Sequence, residues 1–334
     1  MMNKIICGNA LTELKKIEND SIDLVITSPP YWEQRKYIKD KECPSELGTE
    51  KLMIDYESKL GAIFGECVRV CKPTGNIVFN LGDKYVQGCL QLIPYRFAIR
   101  AIDYNEVMLV NDITWVKTNP TPRQYKKRLI SSTEPFFHFA KTKNYYYNPD
   151  VYLKDEKNRP RKKITSKKGE KYKELIEKSN LTDLETTKAR VGLLMAFTEL
   201  EEGKITDFRM KIRGIHKEAF GGQSGGRNSQ IRNNGFTIIK MFGNKLKRDV
   251  IENSVANTKN IDHPAVFPLK VIIEMVKLLS KENSIVLDPF CGSGQVCLAS
   301  KSLNRNYLGI DLNKKYCELA QERIDELSKI ESKI

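Results

Sequence analysis

The stretch Ser284–Gly294 constrains the fold more than any other part of the chain. An apolar strand, Ile285-Val286-Leu287, runs directly into Asp288-Pro289-Phe290-Cys291-Gly292-Ser293-Gly294, and a helical pattern begins at Gln295. Glycines between a strand and a helix let a ligand approach the backbone, and the helix N-terminus offers unpaired N–H groups. One strand and helix later, Leu308-Gly309-Ile310 ends on Asp311. An acid at that distance from a glycine turn is placed to bind the hydroxyls of a ribose. The Gly-x-Gly-x-x-Gly spacing of a dinucleotide site is missing, and no Gly-Lys-Ser/Thr follows, so neither a nicotinamide oxidoreductase nor a phosphate loop fits well.

A second junction lies near the other end of the chain. The apolar run Ile22–Thr27 stops at Ser28-Pro29-Pro30-Tyr31. Proline cannot continue a central ladder, so the chain must turn at the carboxyl edge of the sheet, where ligands of open α/β sheets bind. The turn presents a hydroxyl, unpaired carbonyls and an aromatic ring; standing alone, it would be a stiff exit from a strand.

Around the second junction and beyond it the pattern alternates. Strands are expected at Lys4–Cys7, Asn76–Asn80, Val107–Lys117 and Phe136–Lys141, with helices at Ala10–Ile17, Tyr56–Cys71 and Leu92–Tyr104. The alternation argues a mostly parallel sheet flanked by helices. From about 150 the texture changes. Residues 154–173 hold ten Lys or Arg against three acids, and Gly221–Arg227 is glycine-rich, which reads as a solvated, partly mobile insertion. After His263 the α/β pattern resumes with a helix Leu269–Ser280, the strand and turn described above, a helix Gln295–Leu303, a strand Tyr307–Ile310 and a final helix.

Composition narrows the partners. The surplus of 56 Lys and Arg over 42 Asp and Glu gives a net charge of +14, which suits a polyanion such as nucleic acid. No apolar run approaches the roughly 20 residues that span a bilayer, and the N-terminus carries no secretory pattern, so no membrane partner and a cytoplasmic location are expected. The eight cysteines form no Cys-x-x-Cys pair, and with three histidines they predict reduced thiols and no metal.

The two junctions in this order resemble the DNA amino-methyltransferases of restriction–modification systems, in the permuted arrangement called the beta class. Arg128-Leu129 with Glu134 and Lys141–Tyr147, the His263–Pro268 stretch, and Asp311-Leu312-Asn313 with Tyr316 carry the same resemblance. It implies an α/β fold, a circularly permuted Rossmann-like methyltransferase sheet flanked by helices with an inserted basic target-recognition region. Residues 1–150 would form the catalytic half, 151–253 the insertion and 254–334 the cofactor half. It implies S-adenosylmethionine as cofactor, contacted by Asn9, Phe267, Asp288, Pro289, Phe290, Gly292, Ser293, Gly294, Asp311 and Asn313. Asn9 stands where the family commonly has an aspartate. Ser28, Pro29, Pro30 and Tyr31 would be catalytic, and Ser at the first position is associated mainly with N4 of cytosine rather than N6 of adenine. Duplex DNA would be the substrate, met by Arg128, Arg159, Arg161, Lys162, Arg227 and Arg232, with a cognate restriction endonuclease as partner. An N6-adenine DNA methyltransferase of the same fold, an RNA methyltransferase and a non-catalytic nucleic-acid-binding protein stay open as rivals.

Overall fold

The computed structural model describes residues 2–34, 46–120, 126–152, 166–202, 204–216, 227–241, 248–255 and 267–331. The chain divides into two compact units, Met1–Val151 with Lys247–Ile334, and Tyr152–Leu246.

The first unit is built on an eight-stranded sheet. In chain order its elements are β1 (Lys4–Cys7), α1 (Ala10–Leu14), β2 (Ile22–Thr27), α2 (Met53–Val70), β3 (Cys71–Asn80), the hairpin β4 (Tyr85–Val86) and β5 (Cys89–Leu90), α3 (Ile93–Tyr104), β6 (Met108–Lys117) and β7 (Thr133–Ala140). The second unit contributes α4 (Ser166–Glu177), α5 (Asp183–Glu201), β8 (Asp207–Ile212), α6 (Arg227–Asn234) and β9 (Phe236–Met241). The first unit resumes with β10 (Val250–Asn253), α7 (Leu269–Leu279), β11 (Ile285–Asp288), α8 (Gln295–Ser302), β12 (Asn306–Asp311) and α9 (Lys314–Glu331).

The strand order is β1-β12-β11-β2-β3-β7-β6-β10. Every neighbouring pair is parallel except those of β7, which runs antiparallel to β3 and β6, so the sheet is mixed. Apolar β2, with Leu24, Val25 and Ile26 fully buried, sits in the middle, as a strand covered on both faces must. An aromatic cluster of Phe64 from α2, Phe79 from β3, Phe97 from α3 and Phe139 from β7 packs one face, its rings mostly meeting edge to face. β11 pairs with β2, Val286 opposite Leu24 and Leu287 opposite Val25. Two stretches more than 250 residues apart thus end side by side at one edge.

In the second unit helices and a two-stranded sheet pack on each other, while residues 153–165 of the basic run lie outside the described residues. Ala189, Leu193 and Ala196 of α5 pack with Phe208, Met210 and Ile212 of β8 into a core of their own. Thr182 and Glu185 close a capping box that starts α5, each side chain bonding the other's backbone N–H. This unit ends at Leu246 rather than 253, because Val250–Asn253 is a strand paired with β6 in the large sheet. The glycine-rich stretch up to 226 lies outside the described residues.

Candidate functional site

Carboxyl ends of β12, β11, β2, β3 and β6 and the amino end of antiparallel β7 share one edge of the sheet, and the polar residues of interest cluster there. Thr27, the last residue of β2, donates from Oγ1 to Asp288 Oδ1 at 2.6 Å, and Phe290 N–H donates to the same oxygen at 3.0 Å. This buried bond ties the start of Ser28–Tyr31 to the start of the glycine turn. Burial pushes the Asp288 carboxyl up to about 7, against the Thr27 and Phe290 hydrogen bonds that hold it down.

The turn is tight. Gly292 and Gly294 have φ of +48° and +79°, and a Cβ on Gly294 would come within 2.8 Å of the Ala320 Cβ. Asp311, at the end of β12, accepts from Gly292 N–H and Asn313 N–H, each at 2.8 Å. Burial raises its carboxyl to about 6, while those two N–H bonds lower it. Arg323 of α9 braces the turn from behind, donating to the Ser293 carbonyl and to Gln295 Oε1. Each carboxylate oxygen of Asp311 engages one backbone donor and retains a second acceptor direction, so the pair can accept from the two hydroxyls of a ribose diol. Phe290 is half-buried against the main core, and Cys291 is a buried thiol.

On the other side of the Thr27–Asp288 bond, four polar groups converge. Ser28 Oγ lies 3.2 Å from Tyr31 Oη and 3.3 Å from Asn80 Oδ1. Tyr31 Oη is 2.9 Å from Asn80 Oδ1 and 3.1 Å from Glu134 Oε2. Glu134 is paired with Lys117 of β6, and Asn80 Nδ2 donates to the Pro135 carbonyl at 3.0 Å, which fixes the amide with its oxygen toward Ser28 and Tyr31. The Pro30 carbonyl accepts from Tyr56 Oη at 3.0 Å. Among the described residues no donor is directed at the Pro29 carbonyl, and Pro29 is buried. Gly82 touches the Tyr31 ring, and any Cβ there would overlap it.

The other expected residues lie further from these two turns in sequence or make local contacts of their own. Asn9 caps α1, its Oδ1 accepting from Thr12 N–H at 3.2 Å. Asn313 likewise turns its Oδ1 to Lys315 N–H at the start of α9. Phe267 stacks on Phe136 of β7, centroids 5.7 Å apart. Arg128 lies over the Tyr85 ring at 3.7 Å. Arg227 opens α6 and Arg232 is exposed on it, both in the second unit. Arg159, Arg161 and Lys162 fall outside the described residues, as do 263–266. Asn80, Gly82 and Lys117 were not singled out from sequence. Asn80 and Lys117 are the final residues of β3 and β6, so the rule that pointed to Thr27 and Asp311 could have found both.

An open α/β sheet whose adjacent strand ends carry a glycine turn with an acid and a hydroxyl-rich turn defines a nucleoside-handling enzyme scaffold. The chain belongs to the DNA methylase family (N6_N4_Mtase), whose profile matches residues 22–322. It is 24% identical over 346 residues to the type II methyltransferase M.XycI of Xanthomonas campestris pv. cyanopsidis, covering 95% of this chain and 86% of that protein. It is 27% identical over 329 residues to M.HpaI of Haemophilus parainfluenzae, covering 97% and 75%. Among solved structures, PvuII DNA methyltransferase (cytosine-N4-specific) superimposes with a TM-score of 0.60 at 16% identity, over 96% of this chain and 85% of that one. M1.HpyAVI in its SAM complex gives 0.52 at 19%, over 96% and 98%. No described helix is long and apolar enough to cross a membrane.

Proposed function

We propose that this chain transfers a methyl group from S-adenosylmethionine to the exocyclic N4 of cytosine in duplex DNA, with Ser28, Pro29, Pro30 and Tyr31 as its catalytic residues. The observation that carries the proposal is the Thr27–Asp288 bond, which sets the Ser28–Tyr31 turn beside the glycine turn at neighbouring strand ends. Asp311, Phe290 and the Gly292–Gly294 turn would hold the cofactor, and the family together with the SAM complex of a protein of similar fold supports S-adenosylmethionine as that cofactor. The cofactor supplies a methyl group on a sulfonium, and the acceptor is a nitrogen.

The chain's own residues handle the amine. An exocyclic amine is a poor nucleophile because its lone pair is delocalised into the ring. Acceptors on its hydrogens favour pyramidalisation and meet the charge that develops there. The Pro29 carbonyl and Ser28 Oγ are the acceptors at hand, whereas the Pro30 carbonyl is engaged by Tyr56. A proton received at Ser28 Oγ has an onward path through Tyr31 Oη to Glu134, whose charge Lys117 balances. Carbon methylation would need an attacking thiolate, and the turn supplies none. Ser rather than Asp or Asn at position 28 favours cytosine over adenine, and the tetrapeptide preceding the glycine turn supports the permuted beta-class order. The type II methyltransferase relatives support a restriction–modification role, in which a cognate endonuclease would be the partner. Incubation with methyl-labelled S-adenosylmethionine and duplex DNA, then digestion to nucleosides, tests the proposal. N4-methylcytosine is expected; N6-methyladenine would overturn the base assignment, and 5-methylcytosine or unlabelled DNA the mechanism.

A further inference from the structure

The loop before β7 carries an exposed side chain that the reaction as described does not use. Leu129 is 90% exposed and Ile130 42%, and Leu129 is the most exposed large hydrophobic among the described residues. Leu129 buries almost no apolar surface within the fold, so truncating it costs the fold little. It is flanked by Lys126, Lys127 and Arg128, the first two exposed.

The tip is tethered on both sides to the site. On one side, Ser132 accepts the Lys117 N–H at 2.7 Å, and two residues later Glu134 reaches Tyr31 Oη. On the other, Arg128 stacks on Tyr85, three residues beyond the Gly82 that touches the Tyr31 ring. Glu134 is five positions beyond Leu129, so the tip lies within about 17 Å of the Tyr31 hydroxyl's partner even if fully extended.

We propose that Leu129 is a wedge that enters the base stack as the target nucleotide leaves it, with Lys126, Lys127 and Arg128 steering the tip to the flanking phosphates. The inference rests on the DNA-methyltransferase reading above. A base whose amine is paired in duplex DNA must be extruded to reach Ser28, which costs stacking and pairing. An apolar side chain that takes the vacated place restores contacts the neighbouring bases would otherwise lose to a void, and cations beside it bring it to the backbone. A leucine among three cations at the reactive edge supplies both parts.

The test uses the full chain and synthetic duplexes containing the site read from its methylated product. The target base is either normally paired or faces an abasic residue. With Leu129→Ala the methylation rate should fall at least tenfold on the paired duplex and less than twofold on the abasic one, while Leu129→Met stays near wild type on both. Fluorescence of 2-aminopurine beside the target should rise on binding with wild type and less with Leu129→Ala. Equal losses on the two duplexes, or no loss on either, would overturn the wedge. Wild-type protein that methylates no DNA would instead sink the underlying reading, so the two failures are distinguishable.

Discussion

Tyr31 illustrates how much of the site is set by single residues around it. Its hydroxyl is held between Asn80 and Glu134, and its ring rests on Gly82, where no side chain can be accommodated. A ring fixed at both ends presents a defined face to an extruded base without losing rotamer entropy on binding. Gly82→Ala must displace the ring, and misplacement of a catalytic group by even one ångström carries a large rate cost, so turnover should drop roughly 10²-fold. Cofactor affinity should stay within about twofold, since Asp311 and the glycine turn are untouched. Steady-state kinetics beside calorimetry of cofactor binding separates the two; a change in cofactor affinity with turnover preserved would show that Tyr31 is not held for catalysis.

Among the elements, the junction of β2 and β11 has a measurable electrostatic signature. In the folded protein the Asp288 carboxyl is raised to about 7, whereas in the unfolded chain it titrates near the ordinary carboxylate value, about 4. Between those values the folded state holds a proton the unfolded chain has released, so stability falls as pH rises through the window. Asp311, raised to about 6, contributes with the same sign. Both hydrogen bonds to Asp288 land on Oδ1, so Asp288→Asn can keep them with its amide oxygen. Between about pH 5 and about pH 8 the wild-type Tm should fall more than that of Asp288→Asn, by several °C, with only the Asp311 share left in the variant. Parallel Tm curves would place the titration elsewhere.

The same scale shows what could be read from the sequence. The strand–turn junctions at 28 and 288 were legible because Pro-Pro and Gly-x-Gly break regular structure at known places, and their apolar runs could only be buried strands. That β11 pairs with β2 was not legible, since the partners lie at opposite ends of the chain and no local pattern encodes register. β10 was absorbed into the basic region because a four-residue edge strand gives almost no periodic signal. The core around Phe208, Met210 and Ile212 alternates as a strand should, but the neighbouring lysine run dominated the composition. The resemblance assigns Asn9 and Asn313 to cofactor contacts, and each also turns its Oδ1 to a backbone N–H at the start of a helix, as asparagine does before one.

For the whole molecule the charge surplus of +14 sets how DNA is met. Ten basic residues in 154–173 should make affinity fall steeply with salt, because each phosphate contact releases counterions. Neutralising Arg161, Lys162 and Lys163 together should lower the slope of log affinity against log salt by about two to three, leaving cofactor binding unchanged. An unaltered slope would move the DNA-binding surface to other residues. Binding alone, however, does not test the claim that the turn after β2 is where the amine is methylated. The direct test is a rapid-quench single-turnover measurement with Ser28→Ala, saturated with S-adenosylmethionine and duplex DNA. The methyl-transfer step should slow by roughly 10²-fold while both dissociation constants stay within about twofold of wild type. An unchanged transfer rate, or a loss that disappears once DNA is saturating, would contradict the account.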